Sequence, residues 1–215
     1  MAKRDYGQYC GLVRALEIVG ERWALLIVRD LLVSPKRFTD LRQGLPRIPS
    51  NILSARLKEL EEAGIVQRRL LPRPVGSVVY ELTAYGHELE DVVLRLGRWG
   101  AKSLTLPGPD DIVTVDALII AMRSTFRPEA VRGQDVGYEL RVGDVVLHVR
   151  IEDGVLKAAQ GPLPGADLVI ETGPAIKALM AGELSASDAI ASGSVKLKGK
   201  GGAKLLSRFT ELFRI

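Results

Sequence analysis

The sequence holds one cysteine, Cys10, in 215 residues. A single thiol excludes an internal disulfide framework and fits a reducing compartment, so a cytoplasmic protein is expected. Hydrophobic residues make up 47% of the chain, enough for ordinary cores. Yet no run approaches the roughly 20 consecutive apolar residues that cross a bilayer, so no membrane span is expected. The opening Met-Ala-Lys-Arg-Asp-Tyr contains no apolar stretch, and no signal peptide is expected. Histidine occurs twice. His87 has no second His, Cys or acidic cluster at metal-ligand spacing beside it, so it reads as a polar residue on a helix's first turn; neither a metal nor a cofactor is expected. Paired catalytic carboxylates in a motif and a nucleophile elbow are also missing, so an enzyme is not expected.

The positive charge is unevenly spread. Residues 1–104 carry 17 Lys/Arg against 12 Asp/Glu, a balance of +5, while residues 105–215 carry 13 against 14, a balance of −1. A basic half favours a polyanionic partner through phosphate neutralisation, although +5 over about a hundred residues is also an ordinary surface charge. The order of motifs has to decide.

Two short helices with a tight connection are expected in that half. Ser34 is placed to cap the first, with Pro35 at its first helical position, where a missing N–H costs little. Gly44 is a natural stop. In the second, Leu53, Leu57 and Leu60 recur at i, i+4, i+7 and form one apolar stripe, and Gly64 ends it. The opposite face carries Asn51, Ser54, Ala55 and Lys58. It is small, polar and basic, and suits a helix that approaches base-pair edges. Strands are expected over 65–71 and 77–82, with Arg68, Arg69 and Arg73 between them and Pro72, Pro74 and Gly76 shaping the tip. Helix, turn, helix, strand, basic loop, strand is the order of a winged helix, whose hairpin contacts phosphates and fixes register.

Several separate motifs carry a resemblance: Leu-Glu-Ile-Val-Gly-Glu-Arg-Trp-Ala-Leu-Leu-Ile-Val-Arg-Asp-Leu-Leu at 16–32, Lys-Arg-Phe-Thr-Asp-Leu at 36–41, Leu-Ser-Ala-Arg-Leu-Lys-Glu-Leu-Glu-Glu-Ala-Gly at 53–64 and Tyr-Glu-Leu-Thr-Ala-Tyr-Gly at 80–86. Residues 9 to about 101 resemble the HxlR family of bacterial transcription regulators. The resemblance implies a dimeric winged-helix DNA binder. The family usually opens with Cys-Pro, whereas Cys10 is followed by Gly11. In some members a cysteine near this position senses oxidants or electrophiles. Cys10 at a helix start would have the positive environment such a thiolate needs; otherwise it is a small half-buried residue without chemistry.

A short helix is expected from Tyr9 to Val19 with Leu12, Leu16 and Val19 inward. Gly20 breaks it, and a second runs from Arg22 to Leu32 with Trp23, Leu26, Ile27 and Leu31 on one face. Trp23 reads as core or dimer packing. Thr83 is placed to cap a helix running to about Ser103. In it Leu89, Val92, Leu96 and Trp99 repeat at 3, 4, 3, a seam that seeks a partner helix, or else a core helix of one subunit. Residues 105–111 hold two prolines and a glycine and read as a linker.

Beyond it a helix is expected over 113–124. Next come alternating strands: one with Tyr138, Leu140 and Val142, and one with Val145, Leu147, Val149 and Ile151, joined by the turn Gly143-Asp144. The turn Asp153-Gly154 leads to a third over 155–160, and Leu168 and Ile170, then Val195 and Leu197, mark two more. This reads as an antiparallel meander with one apolar face. Helices over 174–181, 186–192 (opened by Ser185 and Asp188) and 203–213 are available to cover it. The segment 167–199, with its phrase Met-Ala-Gly-Glu-Leu-Ser-Ala-Ser-Asp-Ala, resembles a sterol-carrier-protein domain, from about 112 to the end. That resemblance implies an α/β fold enclosing an apolar tunnel for lipid-like molecules, and supplies no catalytic residue. Gly199-Lys200-Gly201-Gly202 reads as a flexible turn or as a backbone cradle for an anionic head group.

The fold class expected is therefore α+β: a winged helix-turn-helix DNA-binding and dimerisation domain over 1–104, a linker over 105–111, and a sterol-carrier-like α/β domain over 112–215 with a five-stranded, mainly antiparallel sheet. The expected partners are double-stranded DNA, a second copy of the chain and a small apolar effector, lipid-like or aromatic. Asn51, Ser54 and Lys58 are expected to read or flank bases, and Lys36, Arg37, Arg68, Arg69 and Arg73 to hold phosphates. Thr39, Ser50 and Arg56 complete the DNA-binding set, Arg56 beside the stripe being better placed to brace the helix or touch phosphate. Leu89, Val92, Leu96 and Trp99 are the dimerisation set. Leu147, Val149, Met180, Phe209 and Phe213 are the pocket candidates, and Cys10 is the redox candidate. A ligand-responsive regulator, a constitutive DNA binder with a structural second domain, and a thiol-based redox sensor acting through Cys10 are the readings in contention. A lipid carrier leaves residues 1–104 unexplained.

Overall fold

The computed structural model describes residues 5–72, 74, 76–105, 107–108, 110–133 and 135–215. Arg73 of the expected phosphate set, and Leu106 and Pro109 of the expected linker, lie outside them. The chain divides into two compact units, Met1–Val93 and Leu94–Ile215.

The first unit is built from α1 (Gly11–Val19), α2 (Ala24–Val33), α3 (Phe38–Gly44), α4 (Ser50–Glu62), β1 (Val66–Leu70), β2 (Val78–Leu82) and α5 (Ala84–His87). Its core gathers Ile27, Val28 and Leu31 of α2, Leu41 of α3 and the stripe Leu53, Leu57 and Leu60 of α4, all nearly or fully buried. Burying each such leucine stabilises the fold by about 1.5–3 kcal/mol. Gly64, at φ +72, ends α4 in the left-handed region that an L side chain resists. β1 and β2 then pair antiparallel, with Arg68 opposite Tyr80 and Gln67 opposite Glu81.

Three local expectations are corrected. The third helix does not start at Ser34-Pro35. Lys36 exchanges both backbone hydrogen bonds with Tyr80, which holds this stretch extended as a third rung beside β2. Arg37 becomes the N-cap, its N–H donating to Asp40 Oδ2. Leu12 and Leu16 do not face inward; both are exposed, and on α1 only Val19 is buried, while Leu26 is exposed and does not share the buried side of Ile27 and Leu31. α2 opens at Ala24, after Trp23, which adopts φ +81 beneath the Arg22 guanidinium.

The helix expected to run unbroken from Thr83 is also two. Thr83 does act as the cap, accepting from Gly86 N–H, but α5 ends at His87 and α6 (Glu90–Ala101) follows a turn at Glu88-Leu89. Gly86 lies so close to the Ile65 carbonyl that a Cβ there would stand 2.1 Å from its oxygen. Thr83 also bonds the Gly64 and Ile65 carbonyls. α5 is thereby pinned on the start of β1, and Leu89 falls in the turn. The division between the two units lies within α6.

The second unit contains α7 (Val115–Thr125), β3 (Val136–Val142), β4 (Val145–Glu152), β5 (Val155–Gln160), β6 (Leu168–Thr172), α8 (Ala175–Ala181), α9 (Ala186–Ala191), β7 (Val195–Lys198) and α10 (Gly202–Leu212). The five strands stand in the order β5-β4-β3-β6-β7. The sheet is mixed and not an antiparallel meander, because β6 runs parallel to β3. The connection after β5 crosses to the far side of β3 and is tied to that strand on its way. Leu163 N–H donates to the Glu139 carboxylate, and Gly137 N–H to Asp167 Oδ2. Gly137 has no side chain to obstruct this: a Cβ would sit 2.7 Å from the Leu163 side chain. Both two-residue turns form as the sequence suggests, and Ser185 caps α9. α7 packs on β4 and β5, and α10 on β6. Among the described residues no helix is long and apolar enough to cross a membrane.

Candidate nucleic-acid interface

Burial of Leu53, Leu57 and Leu60 fixes the rotation of α4 and turns Ser50, Asn51, Ser54 and Lys58 to solvent. Asn51 presents an amide that both donates and accepts. Ser54 Oγ–H is directed back to the Ser50 carbonyl at 3.0 Å, which leaves its oxygen lone pairs outward. Arg56 is not on this face. Its side chain is buried, ion-paired to Glu59 and, at 3.4 Å, to Glu21, so it braces α4 from behind.

At the other end of α4 the helix and the hairpin enclose a groove of about 450 Å3 lined by Ser54, Leu57, Lys58, Glu61, Glu62, Arg68 and Tyr80. Strand alternation places Arg68 on this side, opposite Tyr80. Arg69 points to the other side of the hairpin with Gln67. There Glu81 accepts from both, at 2.7 Å from Arg69 Nε and 3.0 Å from Gln67 Nε2. Arg69 holds the Glu81 carboxyl below the usual carboxylate range. The two arginines are thus separated by the thickness of the hairpin. Arg37 and Thr39 are exposed at the start of α3, and Lys36 is half-buried beside β2.

The groove cations are paired within the chain. Arg68 Nε donates to Glu61 Oε1 at 2.9 Å, which raises the guanidinium pKa further, and Lys58 Nζ stands 3.7 Å from Glu62. Glu61, Glu62 and Tyr80 are the residues that sequence reasoning missed. Glu62 lies one turn beyond Lys58, a legible spacing. The Glu61–Arg68 and Tyr80–Arg68 pairs depend on the hairpin folding back beside α4 and have no local signal.

Cys10 is exposed at the N-terminal end of α1, and the Val13 N–H, followed by that of Leu12, lowers its thiol pKa. Val92, Leu96 and Trp99 form an exposed stripe on α6, with Leu89 half-buried before it. In the second unit Leu147, Val149, Met180, Phe209 and Phe213 are all buried. Phe209 packs on Phe213 at 4.8 Å between ring centroids and edge-on to Tyr138 at 5.3 Å; Phe126 lies 5.7 Å from Phe213. Gly199 stands where a Cβ would meet the Asp167 carbonyl at 2.6 Å, so a close backbone approach requires a glycine there.

Residues 18–106 match the family model described as HxlR-like helix-turn-helix. The chain is 39% identical over 94 residues to the HTH-type transcriptional regulator YodB of Bacillus subtilis, covering 44% of this chain and 83% of that protein. It is 40% identical over 110 residues to an uncharacterised HTH-type transcriptional regulator of Mycobacterium bovis, covering 51% of this chain and 68% of that one. The solved structure of reduced YodB from B. subtilis aligns with a TM-score of 0.40 at 33% identity, over 47% of this chain and all of that one.

Proposed function

The chain belongs to the HxlR-like helix-turn-helix family, and from that membership we propose that it is a transcription regulator binding double-stranded DNA as a homodimer, with its second unit tuning that binding through a small apolar ligand. The observation that carries the DNA reading is the outward face of α4: Asn51, Ser54 and Lys58 lie exposed behind a buried leucine stripe and beside a basic hairpin. Such a helix enters a major groove with its N-terminal residues at base edges, while Lys36, Arg37, Arg68 and Arg73 hold phosphates; Arg69, on the other face of the hairpin and engaged by Glu81, is left out of that set.

The second unit is read as a sterol-carrier-like domain. A strand-rich sheet covered by α7 and α10, with Met180 and two phenylalanines beneath, supports an apolar binding role. A ligand there changes DNA affinity only if it binds the DNA-competent and incompetent states unequally. A second reading has its own observation: Phe126, Phe209, Phe213 and Tyr138 pack on one another, which favours a structural core and a constitutive DNA binder. A third, thiol sensing through Cys10, rests on its exposure at a helix start.

The test is selection from a randomised duplex pool, repeated in the presence of an apolar fluorescent probe. The regulator reading predicts enrichment of two related half-sites about one helical turn apart. It also predicts a probe-dependent change in affinity that Val149→Trp removes. Failure to enrich any sequence overturns DNA reading, and uptake of no probe leaves the constitutive form.

A further inference from the structure

The groove between α4 and the hairpin is lined with two cations and two carboxylates, and each cation faces its own carboxylate: Arg68 with Glu61 at 2.9 Å, Lys58 with Glu62 at 3.7 Å. A DNA-binding surface normally leaves its cations open to phosphate. Here a phosphate approaching the groove must compete with a carboxylate already in place, and is repelled by it at nearly the same distance. Resting on the DNA-binding reading above, we propose that Glu61 and Glu62 are specificity-determining residues: by engaging Arg68 and Lys58 within the chain they suppress sequence-independent binding to DNA.

The reason the effect is selective lies in where the two kinds of binding energy come from. Binding to a random duplex comes almost wholly from phosphate neutralisation, and such a complex shifts along the DNA to place phosphates on whichever cations are open. Closing two of them removes a large share of what holds it. On a matched site the register is set by base contacts from the N-terminal half of α4, at Asn51 and Ser54, which are neutral, the Ser54 hydroxyl donating to the Ser50 carbonyl. The phosphates that reach the groove are then fixed by that register, and opening the pairs adds less. Glu81 is the internal comparison. It engages Arg69 at 2.7 Å on the opposite side of the hairpin and lines no part of the groove.

The experiment measures affinity of the full chain and of Glu61→Gln, Glu62→Gln and Glu81→Gln for two duplexes, one of randomised sequence and one selected by the wild-type chain from a random pool, across a salt series. Glutamine keeps the size and the acceptor oxygen, and neither Glu61 nor Glu62 lies in the core. Expected for Glu61→Gln is a rise of about two- to fivefold for the random duplex, the scale of one exposed ion pair. Its salt dependence should steepen by about 0.9 in log–log slope, one further phosphate neutralised. The selected duplex should gain less, and Glu62→Gln should act in the same direction more weakly. The proposal is overturned by a loss of affinity, by an unchanged salt slope, by an equal gain on both duplexes, or by an equal effect from Glu81→Gln, which would reduce the result to net charge. A wild-type chain that binds neither duplex overturns instead the DNA-binding reading on which the proposal rests.

Discussion

Cys10 stands fully exposed at the start of α1, where the N–H groups of Leu12 and Val13 favour its thiolate. Its pKa is lowered, so at neutral pH a larger fraction is ionised than for the same cysteine in the unfolded chain. Alkylation by iodoacetamide, followed against pH, should reach its half-maximal rate at a lower pH in the folded chain than in the urea-unfolded one. A folded midpoint equal to or above the unfolded one would show that the helix start does nothing for the sulfur. This position was legible in the sequence only as one near a helix start. Residue placements elsewhere were legible when they depended on neighbours along the chain: Asn51, Ser54 and Lys58 share a face because helical spacing makes them do so. Arg68 and Arg69 looked equivalent as adjacent basic residues, but strand alternation sends them to opposite sides of the hairpin, into different carboxylates. Arg56 read from the sequence as a residue beside the stripe that braces the helix or touches phosphate, but its pairing with Glu21 could not be read locally, because Glu21 comes from the segment ahead of α2.

At the scale of elements, α6 presents Val92, Leu96 and Trp99 to solvent, and α1 presents Leu12 and Leu16. A recurrent apolar stripe on a helix is paired with another helix when partners are available. We propose that these faces are where two copies meet. Sedimentation at micromolar concentration should show a dimer that Leu96→Glu converts to a monomer, since a charge in an apolar helix seam is left unpaired. A wild-type monomer, or a dimer indifferent to Leu96→Glu, contradicts this. The seam itself was visible in the spacing of its residues. The break before it was not, because α5 stops where Gly86 abuts the Ile65 carbonyl, a contact between residues twenty-one apart in the chain. The late start of α3 has the same origin: Tyr80 holds Lys36 extended by two backbone bonds, overriding a local Ser-Pro helix signal. Caps made within four residues, at Thr83 and Ser185, were read correctly.

For the whole molecule, the order of elements followed from periodicity and turn residues, except that the helix expected from Thr83 is split into α5 and α6. The sheet pairing of the second unit did not. Hairpins β3-β4 and β4-β5 are local and their turns announce them, whereas the parallel pairing of β6 with β3 is set by the crossing at Leu163 and Asp167, where Glu139 and Gly137 receive it. The family model matches residues 18–106, and the proposed function rests on what α4 does at its exposed face. The most direct measurement compares wild type and Asn51→Ala across a panel of duplexes that differ from the selected site by single base pairs. The account predicts a loss of about 1–3 kcal/mol on the selected site, with preference relaxed at one position in each half-site and the others kept. An equal loss on every duplex, or no loss on any, would contradict it.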